Sequence, residues 1–343
     1  MLKDRLLSLL LLPGVTAPFA PLVRDRAAIF YLHRFSMPEA GVRGHDIARV
    51  RQWLAHLRRE RYELVSLEEV FRRLAEGTPT FRRTVAVTID DGYFDQARVA
   101  APLFAEFDCP VTTFVATGFL DGQLWMWWDR LEYVFEHTRK SKLEVHLGSE
   151  LVSLSWSDAG ERARVSGALT ERLKRIPDAS KHAAIAALAA AAEVELPATP
   201  PPHCAPMTWD DLRAAERLGM TFGPHTVTHP ILSQTDDGQS QRELVTSWER
   251  LRAEAARPAP VFCYPNGMLA DFTEREMRTL REQGLIGAVL GVAGYADRPR
   301  FARAPHGPYL VHRFSYADHL AQNLQYASGL ERLKEILRGD RAA

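Results

Sequence analysis

Thr84-Val85-Ala86-Val87-Thr88-Ile89-Asp90-Asp91-Gly92 is a short run of β-prone residues that stops at two adjacent carboxylates and a glycine. A run so bounded predicts a buried strand ending in a tight loop. Two ionised carboxylates at a buried strand end are costly without partners. A bound cation removes that cost. Far downstream, His225-Thr226-Val227-Thr228-His229-Pro230 sets two imidazoles four residues apart, just after another apolar segment. Asp91, His225 and His229 would make three protein ligands with one position open, the build of a hydrolytic rather than a structural metal site. Taken alone, D-D-G is more often a loop whose carboxylates cap backbone N–H groups, and an exposed loop would also accommodate the two histidines. The rest of the chain has to decide.

Strand-like and helix-like segments alternate outward from this stretch. Strands are predicted over 27–32, near 62–65, and over 111–116, 220–223, 261–264 and 285–290. Helices are predicted over 47–59, 96–107, 241–256 and 271–283, with one that Thr208 caps, one that alanines dominate near 181–192, and one that Ser66 starts in a capping box with Glu69. With the strand at 84–91 this gives an α/β fold whose parallel sheet has about seven strands. Functional groups in such folds gather at the C-terminal strand ends, where His33, Asp90, Asp91, His225 and Asn266 all fall. The segment from about 121 to 206 interrupts the alternation. It opens on Trp125-Met126-Trp127-Trp128 and closes in a proline-rich stretch, so it reads as an insertion forming a lid or side wall. Its tryptophans suit the apolar faces of sugars, although clustered tryptophans more often form a core of their own.

The 343 residues suffice for a large core. Apolar residues are 46% and charged residues 25%, ordinary for a globular protein. Lys+Arg and Asp+Glu are equal at 43, which argues against a nucleic-acid footprint. Three scattered cysteines make neither a disulfide framework nor a CxxC metal pattern and lean to a reducing compartment. Leu6–Leu12 follows Lys3 and Arg5 and is too short to span a bilayer. It reads as a capping helix, a membrane-surface helix or, less readily for want of an A-x-A site, a signal peptide. The expected location is cytoplasmic, peripheral to the inner membrane face, and the first twenty or so residues are expected to be dispensable for chemistry.

Four motifs in order carry a resemblance. Thr88–Asp95 (TIDDGYFD) is similar to the TFDDG motif of the polysaccharide deacetylase family, carbohydrate esterase family 4. Gly223–Pro230 (GPHTVTHP) resembles its H-[ST]-x-x-H motif. Cys263–Gly267 (CYPNG) and Phe30–Phe35 (FYLHRF) resemble segments of its exopolysaccharide deacetylase subgroup. The resemblance implies a distorted, incomplete (β/α) barrel over 27–320, with 1–26 and 321–343 as flanking segments. It implies Asp90 as general base, Asp91, His225 and His229 as metal ligands, and His33 as general acid, with His312 as runner-up. It implies the backbone N–H of Asn266 as oxyanion donor; Tyr264, and Trp125 by its aromatic face, are the expected substrate contacts. Zinc is the default ion, and cobalt, nickel or manganese also suit the set. The expected reaction is removal of N-acetyl groups from a glycan or its precursor. Another amide, an O-acetyl ester, or a catalytically weak glycan-binding role are the alternatives. In the third motif Cys263 stands where the family has an arginine that orients the base, so the sequence leaves Asp90 without its usual partner.

Overall fold

The computed structural model describes residues 12, 14–76, 81–303 and 305–338. Its strands are β1 (Arg26–Leu32), β2 (Glu63–Leu64), β3 (Thr84–Asp91), β4 (Val111–Val115), β5 (Lys142–Leu147), β6 (Glu150–Ser155), β7 (Met220–Pro224), β8 (Val261–Cys263), β9 (Gly287–Val289), β10 (Ala296–Asp297) and β11 (Phe314–Ser315). Strands β11, β1, β3, β4 and β7 run parallel, each paired to the next. Strands β8 and β9 form a separate parallel pair. Two isolated bridges, Phe222 to Pro258 and Val289 to Val311, join that pair to the larger sheet on either side. The result is an α/β barrel of seven parallel strands with two weak seams. Every residue of β3 is buried, as expected for a strand covered on both faces.

Local signals explain most element ends. Thr208 and Asp211 form a reciprocal capping box at the helix Trp209–Arg217, and Thr273 and Glu276 do the same at Glu274–Glu282. The box expected at Ser66 is half made. Ser66 Oγ accepts from Glu69 N at 3.1 Å, but the Glu69 carboxylate turns to Arg72 and Arg73. The helix expected over 96–107 opens as a π-turn, Gln96–Ala100, before becoming regular at Ala101–Ala105.

The inserted segment folds around its own core. Helices Trp127–His137, Ala159–Leu173 and Asp178–Ala191 pack with the antiparallel β5–β6 hairpin around Leu131, Phe135, Val145, Leu169 and Leu188. The leucine run lies outside the described residues apart from Leu12. Residues 14–23, expected to be dispensable, are docked on the barrel. Thr16 and Val23 are buried, and Gly14 N donates to the Glu60 carboxylate.

Candidate metal and catalytic site

Strand β3 delivers both carboxylates to the C-terminal mouth of the barrel, buried. Asp91 has φ 91° and Gly92 φ 98°. A Cβ at Gly92 would meet Leu120 at 2.7 Å, so the turn requires glycine there. Gln96, next in the chain, ties the mouth together. Its side-chain amide donates to the carbonyls of His33 (2.7 Å) and Asp90 (2.5 Å), and its Oε1 accepts from Gly92 N. Asp95 accepts from Phe35 N at 2.7 Å and Arg34 Nε at 2.9 Å. These two residues fix the β1 loop that carries His33 against the loop that carries Asp90. The motif reading missed them, because neither role shows until the loops meet.

The segment after β7 is a loop, as Pro224 and Pro230 require. Thr226 (φ 69°) and His229 (φ 57°) take left-handed backbone. Such conformations cost about 1–3 kcal/mol each and cluster at functional sites. Glu243, from the helix Asp237–Glu254, holds the loop by accepting from Val227 N, Thr228 N and Thr228 Oγ1 at 2.6–2.8 Å. His225 Nε2 and His229 Nε2 lie 3.1 Å apart, and Asp91 Oδ1 lies 3.7 and 3.4 Å from them. A tetrahedral zinc with ligands at about 2.0–2.1 Å separates neighbouring ligand atoms by about 3.3–3.4 Å, so the triangle fits such an ion. His225 Nδ1 faces the Cys263 carbonyl at 2.6 Å, which leaves Nε2 free to ligate. Burial first, and the neighbouring His229 second, bring the His225 imidazole down to about 4, so it is neutral at pH 7. Burial pushes the Asp91 carboxyl up, but the hydrogen bond with His229 and the nearby histidines outweigh it and hold Asp91 ionised.

Asp90 does have an arginine, which comes from the far end of the chain. Arg313 Nη1 and Nη2 donate to the two Asp90 oxygens at 2.8 Å each, and Arg313 also donates to Thr88 Oγ1 and the Leu290 carbonyl. The guanidinium is fully buried. Burial raises the Asp90 carboxyl, and Arg313 overcomes it, so Asp90 sits below the usual carboxylate range. Cys263 lies beside this pair, with Sγ 3.1 Å from Arg313 Nη2. Burial pushes its thiol well above the ordinary value. In the second cluster of donor atoms, Asp90, His225 and Cys263, the carboxylate is already taken by Arg313. His312 faces the other way, toward the Ala293 carbonyl at 3.4 Å. Alternation explains this, since neighbours in an extended segment face opposite sides.

His33, Asp90, Asp91, His225, His229 and Arg313 line one cleft of about 550 Å³. Asn266 (φ 60°) is on its rim, and among the described residues its N–H has no backbone partner. The insertion supplies the opposite wall through Trp127, Trp128 and Asp129. The Trp128 ring meets the His229 ring edge-on at 4.7 Å, and Trp128 Nε1 donates to Tyr93 Oη, which donates to Asp129. The two expected substrate contacts differ in placement. Trp125 is packed with Phe119 and Met126 and lines the neighbouring cavity rather than this cleft. Tyr264 borders it, but its ring is buried flat against Phe272 at 3.8 Å and cannot offer a face to a sugar.

The model of the polysaccharide deacetylase family matches residues 77–285, which hold Asp90, Asp91, His225, His229 and Asn266 but neither His33 nor Arg313. No curated protein matches the chain by sequence. Solved structures do match. The Streptococcus pyogenes deacetylase PplD, in complex with acetate, is 16% identical, with 90% of this chain and 98% of that one covered and a TM-score of 0.56. IcaB from Ammonifex degensii is 16% identical, with 89% and 97% covered and a TM-score of 0.55. The BpsB deacetylase domain from Bordetella bronchiseptica is 13% identical, with 85% and 96% covered and a TM-score of 0.50. At such identities the likeness is one of fold. The family match spans more than half of the chain, and the protein belongs to the polysaccharide deacetylase family of carbohydrate-deacetylating hydrolases.

Proposed function

We propose that this chain removes N-acetyl groups from a glycan by hydrolysis, with Asp91, His225 and His229 holding one divalent ion. The observation that carries the reading is the triangle of 3.1, 3.4 and 3.7 Å among their ligand atoms, beside a carboxylate held by Arg313. The family is metal-dependent, and zinc is the default for this donor set. When bound, the ion polarises the amide carbonyl and lowers the pKa of a coordinated water. Asp90 is the general base and accepts a proton from the attacking water. The Asn266 N–H donates to the oxygen on which negative charge develops. His33 donates a proton to the departing nitrogen, so that acetate and a free amino sugar are released.

The cleft continues on both sides. It shares Arg34, Arg43, Asp129 and Glu132 with a neighbouring cavity, and Lys174, Ile231 and Asn266 with another of about 320 Å³. That continuity supports a chain-like glycan over a single sugar. We further propose peripheral contact with the inner face of the cytoplasmic membrane through the N-terminus, on the strength of Lys3, Arg5 and the leucines that follow. Among the described residues no helix is long and apolar enough to cross a membrane. The deacetylase reading is tested by acetate release from N-acetylglucosamine oligomers, with and without a chelator. Release that stops on chelation and returns with zinc is expected. Release that a chelator leaves untouched contradicts the metal assignment.

A further inference from the structure

Arg24, Arg61, Arg82 and Arg83 line a cavity of about 630 Å³, with Glu60 as the one carboxylate among the described lining residues. Strand topology explains the cluster. Arg24 lies two residues before β1, Arg61 two before β2, and Arg82 and Arg83 immediately before β3. These strands are parallel; Asp90 and Asp91 close the other end of β3, and His33 follows the other end of β1. The arginines therefore occupy the end of the barrel opposite the cleft. Arg83 is fixed. It stacks on Tyr62 at 4.0 Å and donates to the Glu60 carbonyl and to Thr16 Oγ1. Arg24, Arg61 and Arg82 are exposed, and among the described residues none of them joins an ion pair.

Apolar side chains are exposed on the elements beside this cluster. The segment Ala17–Val23 contributes Ala20 to the cavity and packs against the helix Leu330–Arg338. Leu12 and Val15 precede that segment with 52% and 37% of their surface exposed, and Ile336 and Leu337 on the helix have 49% and 76%. Water is a poor environment for so much aliphatic surface, and cations beside it select an anionic partner. The chain upstream adds Lys3, Arg5 and more leucines.

We propose that this face docks on an anionic phospholipid surface, with the arginines at the headgroups and Leu12, Val15, Ile336 and Leu337 in the interface. The cleft then opens away from the membrane, toward a soluble glycan. The inference rests on the reading of the N-terminus as a peripheral membrane contact, and the test separates the two. The full chain is sedimented with phosphatidylcholine vesicles, with and without phosphatidylglycerol. Its partners are the triple variant Arg24→Glu/Arg61→Glu/Arg82→Glu, a control reversal Arg139→Glu/Lys142→Glu/Arg164→Glu in the insertion, and a chain lacking residues 1–11. A basic residue near an anionic surface contributes about fivefold to partitioning. The triple variant, which loses three cations and gains three anions, should therefore bind anionic vesicles more weakly by about 10²-fold or more, the control should bind like the parent, and both should release acetate from a soluble oligomer at the parent rate. A triple variant that binds like the parent overturns the proposal, as does equal binding of the parent to neutral vesicles. Loss of binding in the truncated chain alone would keep the N-terminal contact and sink the docking face. Loss in the triple variant alone would do the reverse.

Discussion

Arg313 and Asp90 form a buried bidentate ion pair, with side chains 2% and 5% exposed. Removing one partner of such a pair leaves the other buried and uncompensated, at about 3–5 kcal/mol. Arg313→Met should lose stability of that order in denaturant unfolding and lose most activity as well. Arg313→Lys restores charge but not the two-pronged geometry, so it should recover more stability than turnover. A fully stable, fully active Arg313→Met would mean that Asp90 needs no such partner. His33 is tested by leaving group. A general acid contributes about 10²–10⁴-fold, so His33→Ala should slow amide hydrolysis by that factor and an activated aryl acetate much less. Equal slowing of both would remove the assignment. That His33, Asp90, Asp91, His225 and His229 line one cleft was legible because each motif is contiguous and falls at a strand end. Arg313 was not, because 223 residues separate it from Asp90. The clue was local all the same. In Val311-His312-Arg313-Phe314 an extended backbone turns alternate side chains to opposite faces, so His312 and Arg313 could not both enter the cleft.

The helix Trp127–His137 brings the insertion into the site, and it carries a titratable group with a measurable signature. Asp129 is buried and accepts from Tyr93 Oη at 2.7 Å. Burial is the main reason its carboxyl is pushed up to about 7. In the unfolded chain the same group titrates near about 3.9. The native state therefore keeps a proton that the unfolded state has released, and stability falls as pH rises between those values. From pH 5 to pH 8 this amounts to about 2–3 kcal/mol. Asp129→Asn, neutral throughout, should lack that part of the slope when unfolding is followed at both pH values. Parallel slopes for parent and variant would show that Asp129 is ionised in the folded protein. At this scale the sequence was legible where caps and periodicity are strong, as at Thr208. The hairpin of β5 and β6 falls in a polar stretch of the insertion whose sequence only suggests β structure. Its alternation is plain once one face packs on the insertion's own helices, because exposed Lys142, Glu144 and His146 interleave with buried Leu143, Val145 and Leu147.

In the whole molecule, one barrel end presents the catalytic groups and the other presents arginines. That polarity follows from the parallel sheet, which collects every strand's C-terminal residue on one side. The alternation of segments predicted the sheet. How it closes was not legible, since the two seams rest on single bridges at Phe222–Pro258 and Val289–Val311 with no pattern of their own. The docking of residues 14–23 was hidden for a related reason. Thr16 is held by Arg83, 67 residues away, and nothing in a proline-rich stretch announces that partner. In the proposed mechanism Asp91, His225 and His229 hold the ion while Asp90, held by Arg313, performs the proton transfer. The most direct measurement pairs metal content with acetate release from an N-acetylglucosamine oligomer, for the parent and Asp90→Asn. One ion per chain is expected in both proteins, with turnover lowered by about 10²–10⁴-fold in the variant. An Asp90→Asn protein that turns over like the parent, or that loses its metal, would contradict that mechanism.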